Sequence, residues 1–258
     1  MNDLKSSIHK LNLSLENFVR KYGIAQSIFK NVSGKDSYVH NDFIHFCITK
    51  GSKHLLAAEC LLENGFGEDA IILIRCAYEC YITASYAIDN PDPTVNKLVY
   101  DKLGLYSGKL QYAETKKGKI DYRNIVRKKG DAKASAPPTF EKIIFDLNCP
   151  EDIAVHRAFY NLTSEHTHVH MVASGNYREG YKYKVRDPSQ VSNGELLGAY
   201  IGTLLLNIAC NYENISDIEG RQCRILIDDT KNALIDLIRN HYQESELLSL
   251  IVARLNAL

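Results

Sequence analysis

Residues 68–89 read EDAIILIRCAYECYITASYAID, and a helix drawn through them is apolar in nearly every direction. Ile71, Ile74, Ala77, Tyr78, Tyr81, Ile82 and Tyr86 leave it no continuous polar face, so its neighbours must enclose it. The segment ends at Asp89-Asn90-Pro91-Asp92-Pro93, because proline cannot continue the backbone ladder and disfavours helical geometry in the residue before it.

Outward from this helix the spacing stays helical. Leu4, Ile8, Leu11, Leu15 and Phe18 step by three and four, as do Ile44, Ile48, Leu55 and Leu62. Thr94 is placed to cap a further helix running to about Lys116. Thr139 to Asp146 forms a short element, and a helix starts at Pro150-Glu151-Asp152, a favourable first turn, and runs to about Met171. Two late helices are expected near 193–215 and 228–258, the second broken around Gln243. Only Tyr181 to Arg186 alternates with period two. The expected fold is all-α: one helical domain over 1–258 with about seven to nine helices and at most one short strand or hairpin. Its core covers 40–215, with an N-terminal helix within 1–30 and C-terminal helices within 228–258 packed on it.

Composition narrows the class. The 258 residues carry 31 Lys+Arg against 31 Asp+Glu and are 45% hydrophobic, which excludes a disordered or supercharged chain. Seven cysteines, an odd number without a Cys-x-x-Cys pair, fit reduced thiols better than a disulfide framework. The opening MNDLKSSIHKLNLSLENF lacks a secretory apolar region, and charged Arg75 and Glu79 interrupt the best candidate for a spanning stretch of roughly 18 residues. The expectation is a cytoplasmic protein without a membrane partner.

Three features depart from a bland helical bundle. Arg75 and Glu79 lie four residues apart in the most apolar helix, where either charge alone would be costly to bury; they can pair, or line a pocket in which the guanidinium fork meets phosphate or carboxylate. Residues 156–170 hold four of the nine histidines, and Tyr160, Ser164 and His168 fall on one helical face. His166 and His170 project from one side and are the fallback metal ligands, but the stretch lacks His-Glu-x-x-His, so no metal or cofactor is expected. No Gly-x-Ser-x-Gly elbow supports a serine hydrolase, and no phosphate-cradling loop supports nucleotide hydrolysis. Finally, Lys109 to Lys133 contains nine basic residues against three acidic ones, with tyrosines interleaved. Lys116, Lys117, Arg123, Arg127 and Lys128, with Lys182 and Lys184 further on and Tyr160 as a stacking partner, are the candidate contacts to a phosphate backbone. The alternative is a solvated charged loop.

Arg75-x-x-x-Glu79 followed by Tyr160-x-x-x-Ser164-x-x-x-His168 resembles the paired motifs of a bacterial helical group of unknown function, itself similar to the HEPN superfamily. That resemblance implies a helical bundle, often a homodimer, with metal-independent ribonuclease activity in defence or toxin systems. The superfamily's Arg-x(4–6)-His motif is absent here, since eight residues separate Arg157 from His166. The resemblance therefore implies a composite site, with Arg75 stabilising phosphorane charge, His168 as general acid or base, and Glu79 and Ser164 orienting them. The competing expectation is a non-catalytic interaction protein, with a protein partner, whose polar quartet holds the bundle together.

Overall fold

The computed structural model describes residues 4–23, 36–128, 131–167, 178–179, 181–183, 191–213, 215, 218–242 and 245–258. Helix α1 (Leu4–Tyr22) leads to α2 (Asp36–Glu63) and α3 (Gly67–Asp89). Three helical pieces then run on without a break: Pro91–Pro93, a π-helical stretch Thr94–Asp101, and Lys102–Tyr106, together α4 (91–106). Strands β1 (Gln111–Glu114), β2 (Ile120–Val126) and β3 (Ala134–Ser135) precede α5 (Phe140–Phe145) and α6 (Pro150–Thr167). A minimal ladder of β4 (Arg178–Glu179) and β5 (Lys182–Tyr183) follows, then α7 (Val191–Tyr212), α8 (Ile218–His241) and α9 (Glu246–Asn256).

Helix α3 is enclosed as its composition requires: Ile74, Ala77, Tyr78, Ile82 and Ala84 are fully buried. By length and composition it could also cross a membrane, yet more than half of its apolar window is buried against the other helices. Its main neighbours are α2, α7 and α6. Helix α7 is equally apolar and equally buried, from Leu196 to Cys210. The two central helices approach α2 closely at Gly51, where an added Cβ would stand 2.9 Å from Leu205 Cδ2. Helix α1 contributes Ile8, Leu11, Leu15 and Phe18 to one core that continues through α8 to Ile251 and Leu255 of α9. The C-terminal leucines Leu247, Leu248, Leu250 and Leu258 pack against that core.

Two expectations fail in the middle of the chain. Thr94 does not cap a new helix; it is buried inside α4, its N–H bonded to Asn90 O at 3.0 Å, because Pro91 takes the first helical turn, where a missing N–H does no harm. The helix expected to reach Lys116 stops at Tyr106, and the basic stretch forms an antiparallel three-stranded sheet in the order β1-β2-β3. A mostly helical protein with a small sheet therefore replaces the all-α expectation. Gly118, with φ 72°, closes the β1–β2 turn, where the Thr115 N–H donates to Lys119 O at 2.8 Å. The sheet leans on α4 through Lys97, whose Nζ donates to Ser135 O at 2.8 Å. Sequence alternation was masked because most β1 and β2 side chains, charged ones included, are solvated on both faces; only Ala113, Ile125 and Val126 are buried.

A buried polar triad ties the C-terminal helix to the centre. Arg254 donates from Nε to Asp152 Oδ1 at 2.8 Å and from Nη2 to Tyr81 Oη at 2.8 Å, while Tyr81 donates to Asp152 Oδ2 at 2.7 Å. Burial alone would weaken the guanidinium's hold on its proton, but Tyr81 and Asp152 more than offset it and keep Arg254 charged. Burial, reinforced by Asp152, pushes the Tyr81 hydroxyl well above its ordinary value, so it stays a neutral donor. Asp152→Ala would leave a buried, unneutralised guanidinium. The expected loss is about 3–5 kcal/mol in urea unfolding, partly recovered in Asp152→Ala/Arg254→Met.

Candidate functional site

Helices α3 and α6 meet along aromatic rings. Tyr78 and Phe159 have ring centroids 4.4 Å apart, and the Tyr78 hydroxyl lies 3.3 Å from His156 Nδ1. One turn before Tyr78 on α3, Arg75 reaches across to the next turns of α6. Its Nη1 donates to Ser164 Oγ at 3.1 Å, and its guanidinium carbon lies 3.9 Å from the centroid of the Tyr160 ring. Its Nε donates to Glu79 Oε1 at 3.3 Å. The Arg75 side chain is 14% exposed and that of Glu79 41%, so the cluster sits at the rim of the bundle, with the carboxylate on the water side. The cation is held by a carboxylate, a hydroxyl and a π-face.

Spacing by four on α6 produces this arrangement. His156, Tyr160 and Ser164 occupy successive turns of one face, and the aromatic part of that face continues into Phe140 of α5, 5.6 Å from His156 and 6.4 Å from Tyr160 between centroids. Thus Arg75, Glu79, Tyr160 and Ser164, which are up to 89 positions apart in sequence, form one cluster. His168 and His170 lie outside the described residues, as does the side chain of His166. Among the described residues no group of three His, Cys, Asp or Glu could hold a metal ion.

His156 is the imidazole that sequence reading passed over. Its ring centroid lies 5.2 Å from that of Tyr160, one ring away from the guanidinium. Burial holds its pKa below the ordinary 6.5; Glu141 opposes the shift and the Arg75 charge adds to it. The ring is therefore neutral at neutral pH and able to accept a proton. The available signal was its place four residues before Tyr160 on the same helical face. Cysteine chemistry at neutral pH is disfavoured in the core, because burial pushes Cys47 up to about 12 and Cys80 up to about 11.

The candidate phosphate contacts form a separate group. Lys116 and Lys117 lie on the β1–β2 turn, Arg123 on β2, and Arg127 and Lys128 just beyond it; all are exposed. Lys182 is exposed on β5, and Lys184 lies outside the described residues. Arg127 joins Lys97 and Lys109 in lining a cavity of about 780 Å³ between the sheet and α4.

A family model matches residues 41–179, a span that includes α3, the sheet and the whole of the Arg75 cluster. The chain belongs to a family of unknown function, DUF5677. No curated protein and no solved structure matches it. The part that matches DUF5677 excludes α1 and α7–α9, so in this chain the family region is completed by helices from both ends.

The unfolded chain binds a proton at His156 more tightly than the folded one does. Stability linked to this ring is complete above the ordinary value of 6.5 and is lost as pH falls from there towards its depressed folded value. His54, also lowered by burial, acts in the same direction. Thermal unfolding at constant ionic strength is expected to show a midpoint falling from pH 7 to pH 5, with a shallower slope in His156→Gln.

Proposed function

We propose that this protein is a HEPN-like, metal-independent ribonuclease in which the Arg75 cluster handles the scissile phosphate. The observation that carries the reading is the convergence of Arg75, Glu79, Tyr160 and Ser164 from two distant helices onto one rim of the bundle. A guanidinium fixed by Glu79, Ser164 and the Tyr160 ring is pre-organised to stabilise charge developing on phosphate oxygens. Glu79 and Ser164 orient it. A neutral imidazole takes the proton of the ribose 2′-hydroxyl as that oxygen attacks the adjacent phosphorus. The 5′-oxygen leaves with a proton from a general acid, giving a 2′,3′-cyclic phosphate and a 5′-hydroxyl end. His168 and His156 are the candidates for these two proton-transfer roles. The exposed cations of the sheet and Lys182 would track the flanking backbone.

A second reading has its own observation. Arg75 is 14% exposed and is engaged by side chains of its own bundle, which also describes a polar cross-link between α3 and α6 without any reaction. One experiment separates the two. Purified protein is incubated with mixed RNA in EDTA, alongside Arg75→Ala, His156→Ala and His168→Ala, and each variant's unfolding is measured. The ribonuclease reading expects cyclic-phosphate products from the wild type and at least about a 100-fold loss in Arg75→Ala and one histidine variant, with folding preserved. Absence of cleavage, together with a loss of about 1–3 kcal/mol in Arg75→Ala, establishes the cross-link instead.

A further inference from the structure

Beside the contact that Tyr81 of α3 makes with Asp152 of α6, a second polar cavity has features that packing alone does not account for. It measures about 240 Å³ and opens between α3, α7 and α9. Tyr81, Ser85, Asp89, Asn207, Asn211 and Arg254 supply its polar lining, and Ile88, Ile208 and Tyr212 its apolar walls.

At one end stands Arg254, only 10% exposed at its side chain. Asp152 and Tyr81 occupy its Nε and Nη2, so the guanidinium cannot swing away, and Nη1 has no partner among the described residues. At the other end is Asp89, exposed, on the last residue of α3. Two turns of helix separate Tyr81 from Asp89, a span of about 12 Å along the axis. The carboxylate sits where the helix terminus already concentrates negative partial charge, which favours a cation there. Asn148 gives it one hydrogen bond of 3.3 Å, leaving further acceptor positions. Between the ends, Asn211 Nδ2 donates to Asn207 Oδ1 at 3.2 Å, which leaves the Asn207 amide nitrogen and the Asn211 carbonyl oxygen for a bound molecule.

We propose that this cavity binds a small, elongated zwitterion, with its carboxylate on Arg254 Nη1 and its cationic end on Asp89: a basic amino acid of the arginine or lysine type. The charge order along the cavity sets the orientation, and the asparagines and Ser85 serve the polar groups between. The volume lies below the roughly 300–1,000 Å³ of pockets that take drug-sized ligands, in keeping with a single amino acid. The site stands independently of the ribonuclease reading, since it shares no residue with the Arg75 cluster.

Isothermal titration of the full chain with L-arginine, L-lysine, citrulline and agmatine tests it. Citrulline lacks the side-chain cation and agmatine lacks the carboxylate. Saturable binding of arginine or lysine is expected, with citrulline and agmatine each at least about tenfold weaker through loss of one charge-assisted contact. Asp89→Asn should weaken arginine binding to the citrulline level. Asn207→Leu, which replaces a polar lining group with a bulkier apolar one, should weaken binding at least about tenfold with an unchanged circular dichroism spectrum, and Arg75→Ala should bind as the wild type does. The proposal is overturned if neither basic amino acid binds saturably, if citrulline and agmatine bind equally well, or if both cavity variants leave the affinity unchanged.

Discussion

A helix without a polar side has to be surrounded, and the structure follows from how α3 is surrounded. Its aliphatic and aromatic residues are satisfied by α2 and α7, whose facing surfaces are equally apolar. Its polar atoms are the harder requirement. Arg75 at the rim and Tyr78 and Tyr81 in the interior carry polar groups that must meet hydrogen-bond partners, and α6 supplies one for each in Ser164, His156 and Asp152. This row of polar contacts fixes how α6 lies along α3 more specifically than the non-directional packing of leucines and isoleucines can.

That alignment has two consequences. At one end it places a guanidinium, a carboxylate, a hydroxyl and a tyrosine ring together at the rim, with a neutral imidazole one ring further in. At the other end Asp152 is committed to Arg254, so the last helix is anchored by charge as well as by Ile251 and Leu255. Membership of DUF5677 covers the first of these places and α6, whereas the arginine that closes the second comes from outside the matched span.

The β-sheet shows where sequence patterns lose their grip. Helical periodicity was legible wherever one face met the core, as in α1, α2 and the start of α6. In β1 and β2 both faces are largely solvated, so no alternation of apolar and polar residues marks the strands; backbone pairing and the turn at Gly118 make them. The charge of the segment was legible, its architecture was not. His156 was counted in the histidine-rich stretch but given no role for a related reason: its place four residues before Tyr160 gains meaning only when the arginine that neighbours that tyrosine in space is known.

By itself the sequence determined the central buried helix, its stop before Pro91, most of the helical segments around it, and the need for Arg75 to find compensation inside an apolar environment. These are local matters, set by spacing, proline geometry and the cost of burying charge. Tertiary structure decided the partners: Ser164 and Tyr160 for Arg75, Asp152 and Tyr81 for Arg254, and α4 for the sheet. Such pairings join residues far apart along the chain, and a buried charge specifies only that an opposite dipole or charge must come to it, not which turn of which helix will bring it.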